Sequence, residues 1–255
     1  EGAADSSSTA QAVQLESFGP ARQTDGAYTI KAYDASVIRQ SACGQVDLSY
    51  FSDAAFLGDS LTVGFSDYQI NLSGALICGY TGVGPDAIVN RAAVKSPTRG
   101  QEVALDVLAA AQPKKLYILL GTNTLTTLGA ADRFLAYYGQ MLDLIRETLG
   151  EGVTIYVQAM TPVRPEYTQK AAGLYKERIL RVNDQLARLA DEKNCPFVDL
   201  YSVLADENGD LREDYSADGL HMNAAGYSAW VNYLAAHTVY SASNPYLAGS
   251  PYYKS

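Results

Sequence analysis

Short apolar runs alternate with longer amphipathic stretches along most of the chain. Five runs of four to seven residues, rich in Ala, Val, Ile and Leu, have the length and composition of buried strands. They lie at 54–57, 75–79, 115–120, 153–159 and 196–200. Apolar positions with helical spacing predict helices over 101–111, 132–149 and 171–193, and a last helix opened by Asn223 and ending near Ala236.

This alternation of strands and helices predicts βαβ units, which build a parallel sheet covered on both faces. The chain shows no internal repeat and no linker, so we expect one α/β domain over 27–240. Its predicted architecture is a three-layer α/β/α sandwich with a five-stranded parallel sheet. Residues 27–33 alternate as an edge strand does, and 82–100 read as irregular and basic.

The two ends differ in composition from this domain. Residues 1–26, with a first part rich in Ala, Ser and Gln, predict a flexible leader, such as a stalk left after a signal peptide is removed. Residues 241–255 predict an irregular tail. A secreted or cell-surface location is therefore expected. A cytoplasmic protein whose sequence starts at the same residue would show the same composition and is the alternative.

Charge and cysteine content limit the classes of partner and ligand that are expected. The 255 residues carry a formal net charge of -9 and a sequence pI of about 4.7, so nucleic acid is not expected as a partner. No stretch approaches the roughly 20 apolar residues that a membrane span needs. Cys43, Cys78 and Cys195 match no zinc spacing, and the last two lie in or beside strand-like runs and are expected in the core.

The most informative polar residue is Ser60, which follows the first predicted strand in Gly58-Asp59-Ser60-Leu61. Open α/β sheets place their chemistry at the carboxyl ends of strands. A helix that starts at this point favours negative charge, which an attacked carbonyl acquires. A plain turn with a helix cap is the alternative, because Asp and Ser are common N-cap residues.

The chain has two histidines, and His221 is the better candidate for a base. Asp218 precedes it by three residues, so that its carboxylate can accept a hydrogen bond from one ring nitrogen and leave the other free. His237 has no acid close in sequence. Asp218-Gly219 can also be an ordinary turn.

An acyl-transfer site also needs donors for the oxyanion. Gly79 ends the second predicted strand, and Asn123 follows the third. The backbone N–H of Gly79 and the side-chain amide of Asn123 are therefore candidate donors, although either residue alone is compatible with a turn.

Taken together, these residues resemble the SGNH (GDSL-type) hydrolase family, named for its Ser, Gly, Asn and His. Gly58-Asp59-Ser60-Leu61 matches its nucleophile block letter for letter. Gly79-Tyr80-Thr81-Gly82 matches Gly-x-x-Gly, but Ile77 stands where the family carries Asn. In Gly121-Thr122-Asn123-Thr124 the last residue replaces Asp, and Asp218-Gly219-Leu220-His221 matches the Asp-x-x-His block. The four blocks occur in the family's order and span most of the chain.

The resemblance implies a flavodoxin-like sheet of order 2-1-3-4-5 and a role for each of these residues. Ser60 is the implied nucleophile, His221 the general base and Asp218 its orienting acid. The Ser60 N–H, the Gly79 N–H and the Asn123 side chain form the implied oxyanion hole. The implied reaction is ester hydrolysis through an acyl-enzyme, without metal or cofactor.

The substrate is only coarsely indicated. We expect a short-chain or O-acetyl ester, with carbohydrate esters among the candidates, because no long apolar loop is present to line a lipid tunnel. Tyr80 and Arg164 are candidate pocket residues, as a stacking ring and as a cation respectively; a solvated charge is the alternative for Arg164. The other reading of the whole chain is a non-catalytic carbohydrate- or surface-binding protein on the same fold.

Overall fold

The structure, a computed structural model, describes residues 46–239. The predicted leader, the edge strand predicted at 27–33, Cys43 and the predicted tail lie outside the described residues.

A sheet of five parallel strands forms the centre of the domain. The strands are β1 Ala54–Gly58, β2 Leu76–Gly79, β5 Lys115–Leu119, β6 Thr154–Gln158 and β7 Phe197–Val198. Their order is β2-β1-β5-β6-β7, which is the order 2-1-3-4-5 when only the strands of this sheet are counted. The predicted fold is thereby confirmed.

Helices cover both faces of this sheet. The helices are α1 Ser60–Asp67, α2 Pro85–Val89, α3 Ala104–Ala111, α4 Thr122–Leu125, α5 Ala131–Leu149, α6 Pro165–Thr168, α7 Lys176–Glu192, α8 Leu200–Leu204 and α9 Ala224–Ala236. In one layer, α5 contacts α2, α3 and α7. The other layer contains α1, α8 and α9, and α9 packs on α8. Two 3₁₀ helices span Leu48–Phe51 and Glu213–Tyr215.

An aromatic ladder crosses the sheet on the face covered by α1 and α9. Phe56, Tyr117 and Tyr156 occupy paired positions on β1, β5 and β6. Their rings stack with centroids 4.9 and 4.4 Å apart. The fully buried Trp230 of α9 lies over this face, 4.6 Å from the ring of Phe65, and its Nε1 donates to Gln158 at 2.7 Å. These contacts fix α9, and the segment that leads into it, against the sheet.

The structure corrects the expectation for 82–111. An antiparallel hairpin, β3 Ala93–Ser96 with β4 Gly100–Val103, occupies part of the stretch predicted to be irregular. The helix predicted from 101 starts at Ala104, because 101–103 pair with β3. Burial alternates along β3, with Val94 and Ser96 inward, but four residues are too few for this period to stand out in sequence.

The helix predicted over 171–193 is also shorter at its start. It begins at Lys176, and Gly173 lies against the carbonyls of Leu125 and Thr126 instead of inside a helix. No helix among residues 46–239 combines the length and the apolar character needed to cross a membrane.

Candidate active site

Ser60 lies at a sharp junction between a buried strand and a helix. β1 ends at Gly58, Asp59 caps α1 by accepting the Leu61 N–H at 3.0 Å, and Ser60 is the first residue of the helix. A Cβ on Gly58 would come within 2.5 Å of the Leu119 carbonyl oxygen, so the junction requires glycine at this point. The tight turn leaves Ser60 partly exposed at the carboxyl edge of the sheet.

A series of hydrogen bonds joins Ser60 to the two residues predicted to work with it. Ser60 Oγ lies 3.1 Å from Nε2 of His221, and Nδ1 of His221 lies 2.7 Å from Oδ2 of Asp218. With the ring proton on Nδ1, this nitrogen donates to Asp218, and Nε2 is free to accept the hydroxyl proton. The structure thus brings together three residues that are up to 161 positions apart in sequence.

Local hydrogen bonds hold Asp218 in place. Its Oδ1 accepts the backbone N–H groups of Leu220, at 2.9 Å, and of His221, at 2.8 Å. The hydroxyl of Ser216 donates to the carbonyl of His221 at 2.7 Å and closes the turn. Partial burial would raise the pKa of Asp218, but hydrogen bonds from the His221 ring and from these N–H groups lower it to about 2. The carboxylate is therefore ionised at neutral pH and can orient the ring.

A second carboxyl group, that of Asp59, lies beneath the nucleophile turn. It is fully buried, and burial raises its pKa to about 6, against the opposing effects of the Leu61 N–H and of charge on His221. Its Oδ2 accepts a hydrogen bond from Asn123 Nδ2 at 3.3 Å. Asp59 therefore links the turn after β1 to the turn after β5.

Asn123 sits on the short helix α4 at the exit of β5. Its amide donates to Asp59 and, at 3.4 Å, to the Val83 carbonyl. Gly121 precedes this helix with φ +143, a conformation that favours glycine. Asn123 also forms part of the wall of a cavity of about 410 Å³ between the loop after β2 and the segment that joins α4 to α5.

The backbone orientation of β2 determines the role of its last residue, Gly79. The Tyr80 N–H donates to Gly58 O at 2.9 Å, and neighbouring N–H groups of a strand point to opposite sides. The N–H of Gly79 therefore points away from β1 and from Ser60. A Cβ on Gly79 would lie 2.6 Å from Val63 N, so this glycine allows β2 and α1 to pack closely. The structure gives Gly79 a packing role and not the predicted donor role.

Gly82 lies on the cavity wall with Asn123 instead. It is exposed, has φ +81, and has no neighbouring atom within 4 Å of a Cβ position. The sequence pattern Gly-x-x-Gly contained this residue, and the signal for choosing it was its place in the loop beyond the strand.

A buried arginine that the sequence did not single out holds α4 in place. Arg178 of α7 is 0% exposed, and its guanidinium donates to the carbonyls of Leu125, at 2.6 Å, Gly173, at 2.8 Å, and Thr127, at 3.0 Å. Two of these carbonyls follow Asn123 within four residues. Arg178 thus stabilises the end of α4 and the cavity wall beyond it.

The two predicted pocket residues have different surroundings. Tyr80 is 0% exposed, and its hydroxyl donates to Glu102 at 2.8 Å. A buried ring has no face to offer a sugar, so the prediction that Tyr80 stacks on substrate is wrong. Arg164 donates to the Leu211 carbonyl at 3.1 Å and borders a second cavity of about 330 Å³ together with Asp218. Its role as a pocket residue stays a prediction.

Two arginines of the stretch 82–100, which was predicted to be irregular and basic, have carboxylate partners. Arg99 makes two hydrogen bonds to Glu102, at 2.7 and 3.0 Å, and Arg91 pairs with Asp106. Within residues 46–239, no group of three or more His, Cys, Asp or Glu side chains is arranged to hold a metal ion.

Comparisons with known proteins agree with the fold. Three solved structures are similar in fold. A GDSL-like lipase from Bacteroides thetaiotaomicron is 17% identical with a TM-score of 0.56, over 76% of this chain and 88% of that one. A protein from Streptococcus pneumonia assigned as a platelet activating factor is 20% identical with a TM-score of 0.59, over 73% and 88%. A protein from Bacteroides fragilis assigned as an acylhydrolase is 19% identical with a TM-score of 0.56, over 70% and 82%.

No curated protein sequence matches the chain. The model of the GDSL-like lipase/acylhydrolase family matches residues 56–229, a range that contains every block from the nucleophile turn to the start of α9. The chain therefore belongs to the GDSL-like lipase/acylhydrolase family and is an SGNH hydrolase.

Proposed function

We propose that the chain is a serine esterase that hydrolyses short-chain esters, O-acetyl groups on carbohydrates among them, through an acyl-enzyme. The observation that carries this proposal is the series of hydrogen bonds from Ser60 Oγ through the His221 ring to Asp218. A serine hydroxyl needs such a base, and the base needs a group that fixes its tautomer.

In the proposed reaction, Ser60 Oγ attacks the ester carbonyl carbon while Nε2 of His221 accepts its proton. Collapse of the tetrahedral intermediate breaks the bond to the alcohol, which leaves with the proton from His221. Water then attacks the acyl-enzyme with the same base, and the free acid and Ser60 are released. Asp218 stays ionised and stabilises the imidazolium in both halves.

Three donors are proposed for the oxyanion: the Ser60 N–H at the start of α1, the Asn123 amide, and the Gly82 N–H in place of that of Gly79. The support for Gly82 is its position on the same cavity wall as Asn123. The contacts of Asn123 to Asp59 and Val83, at 3.3 and 3.4 Å, are long for hydrogen bonds, so the amide can turn toward a stronger acceptor.

The cavity beside Asn123 is an unfavourable site for a long acyl chain, because most of its walls are polar or small. Leu128 is its one large apolar wall among the described residues; the other walls are glycine, alanine, threonine and charged or amide side chains. An alkyl chain buried there would leave these polar groups without partners, which is unfavourable.

Substitution Ser60→Ala tests the proposal directly. Turnover of p-nitrophenyl acetate is expected to fall by on the order of 10⁴-fold or more, with the far-UV circular dichroism spectrum and Tm unchanged. A fluorophosphonate probe should label the wild type at Ser60 and leave the variant unlabelled. Wild-type turnover by the variant would contradict the esterase, and an unreactive Ser60 in the wild type would favour the non-catalytic binding protein.

The structure of the phosphonylated wild type extends the same experiment to the donors. The phosphonyl oxygen should lie about 3 Å from Gly82 N and Asn123 Nδ2. A phosphonyl oxygen that faces Gly79 N would contradict the proposal that Gly82, and not Gly79, is the glycine donor.

A further inference from the structure

The cavity beside Asn123 contains two charged side chains of opposite sign. Arg133 lies on the first turn of α5 and is exposed, and Asp86 lies on the first turn of α2 and is half-buried. Both line the cavity, yet neither side chain makes a hydrogen bond or an ion pair with another group within residues 46–239. Arg91 and Arg99, which lie outside the cavity, are each paired with a carboxylate.

Glycine keeps the polar groups of this cavity accessible. A Cβ on Gly84 would lie 2.5 Å from the hydroxyl oxygen of Thr124 and 2.7 Å from Oδ1 of Asp86. These two polar groups therefore flank the bare backbone of Gly84, and any larger residue would occupy the space between them. Thr124 stands where the family pattern carries Asp, so a neutral hydroxyl takes the place of a second carboxylate.

The chemistry of these groups restricts what can occupy the cavity. Asp86 accepts hydrogen bonds, Arg133 donates them, and threonine hydroxyls do both. A purely anionic group would face the carboxylate of Asp86, and a purely cationic group would face the guanidinium of Arg133. An alkyl group would leave both charged groups desolvated and unpaired. A neutral group with several hydroxyls satisfies both, because each hydroxyl donates and accepts.

We propose that this cavity binds the sugar portion of an O-acylated carbohydrate, with Asp86 accepting from its hydroxyl groups and Arg133 donating to them. The inference rests on the proposed esterase function, because Asn123 joins the cavity to the proposed oxyanion site. The cavity volume of about 410 Å³ suits one sugar residue and lies within the usual range for small-molecule sites. Leu128 offers an apolar surface to the C–H groups of the ring.

Two variants test the proposal by substrate selectivity. Asp86→Asn and Arg133→Gln each remove a charge but keep a polar side chain of similar size. The readout is the ratio of kcat/KM on mono-O-acetylated methyl glucoside and methyl xyloside to kcat/KM on p-nitrophenyl acetate, which has no sugar. We expect this ratio to fall at least tenfold in each variant, through a higher KM, as on the loss of one hydrogen bond to a charged group.

Arg91→Gln and Asp106→Asn are the matched controls. They make the same chemical changes in an exposed ion pair outside the cavity, so they reproduce the change in net charge without touching the cavity. Their selectivity ratio should equal that of the wild type.

The outcomes separate the sugar site from the esterase. An unchanged ratio in both cavity variants, or an equal change in the controls, would overturn the sugar site. Wild-type turnover of p-nitrophenyl acetate with no turnover of either acetylated sugar would also overturn it while the esterase stands. Absence of turnover on all three substrates would instead count against the proposed function itself.

Discussion

The two halves of the candidate site are built in different ways. The side chains of His221 and Asp218 are 46% and 47% exposed, and the hydrogen bonds that the side chains of Asp218 and Ser216 make around them join residues no more than five positions apart. Asp59 and Arg178, which hold the Asn123 half, are 0% exposed, and four of the hydrogen bonds there join residues 40 or more positions apart. The first half is a local turn that carries a base, whereas the second depends on how distant elements pack.

This difference predicts that the two halves will respond differently to substitution. Loss of a group in the exposed turn should change the chemistry with little effect on folding. Loss of a buried group that holds α4 should change stability and chemistry together, because the position of Asn123 is set by packing.

The largest effect is expected for His221→Ala. The rate on p-nitrophenyl acetate should fall by on the order of 10⁴-fold or more, because residues of a catalytic triad act as a unit. The Tm should stay within a few degrees of the wild type, because an exposed ring contributes little to burial. A large drop in Tm would show that the exposed half also supports the fold and would break the comparison.

Arg178→Met should lower both stability and activity, with an effect on the rate that is smaller than that of His221→Ala. Removal of the guanidinium leaves three carbonyls without this donor, so we expect a loss of about 3 kcal/mol or more in the free energy of unfolding. If Arg178 positions Asn123, the variant should also lose activity, by at most the 10²–10³-fold range typical of one oxyanion donor.

A double-mutant cycle with Asn123→Ala separates positioning from general destabilisation. In the Asn123→Ala background, Arg178→Met should lower the stability as before but should reduce the rate only slightly further. Equal rate losses in both backgrounds would show that Arg178 acts on the fold alone. Arg178→Lys, which keeps the charge, should recover part of the rate.

The smallest predicted effects concern the dependence of stability on pH. Asp59 and Asp218 contribute to this dependence with opposite signs. Burial raises the pKa of Asp59 to about 6, above the value of about 4 for an unfolded Asp. Between these two values the unfolded state releases its proton first, so stability falls as pH rises. From about pH 4 to 6, the free energy of unfolding of Asp59→Asn should gain up to about 3 kcal/mol relative to the wild type.

Asp218 should behave in the reverse way. Its pKa is lowered to about 2, since hydrogen bonds from His221 and Leu220 outweigh the effect of burial. Its contribution is therefore present above about pH 4 and is lost as pH falls toward 2. Urea unfolding of Asp59→Asn, Asp218→Asn and the wild type at several pH values measures both trends. Slopes of the same sign in the two variants would contradict the assigned environments.

The difference between the exposed turn and the buried half also explains which features could be predicted from the sequence. Gly58-Asp59-Ser60 and Asp218-Gly219-Leu220-His221 are short motifs whose spacing already implies their local geometry, so the nucleophile turn and the Asp–His pair could be recognised. The five strands of the main sheet were visible because each is a buried apolar run. Their order came from the family resemblance.

What the sequence could not reveal depends on partners that only the fold supplies. In the sequence Tyr80 is an aromatic residue of a loop, and only the fold places Glu102 of the hairpin beside its hydroxyl. Gly79 and Gly82 differ in role because one faces the backbone of α1 and the other faces a cavity. Arg178 occupies a helical position next to apolar neighbours, and no local pattern indicates that its charge meets three carbonyls.

The packing of α9 against the sheet can be followed by the fluorescence of a single residue. Trp230 is the single tryptophan of the 255 residues, and it is fully buried between Phe65 and Gln158. Tryptophan fluorescence therefore comes from one position, on the helix that follows His221. A shift of that emission to longer wavelength reports when this helix leaves the sheet and lets water reach the indole.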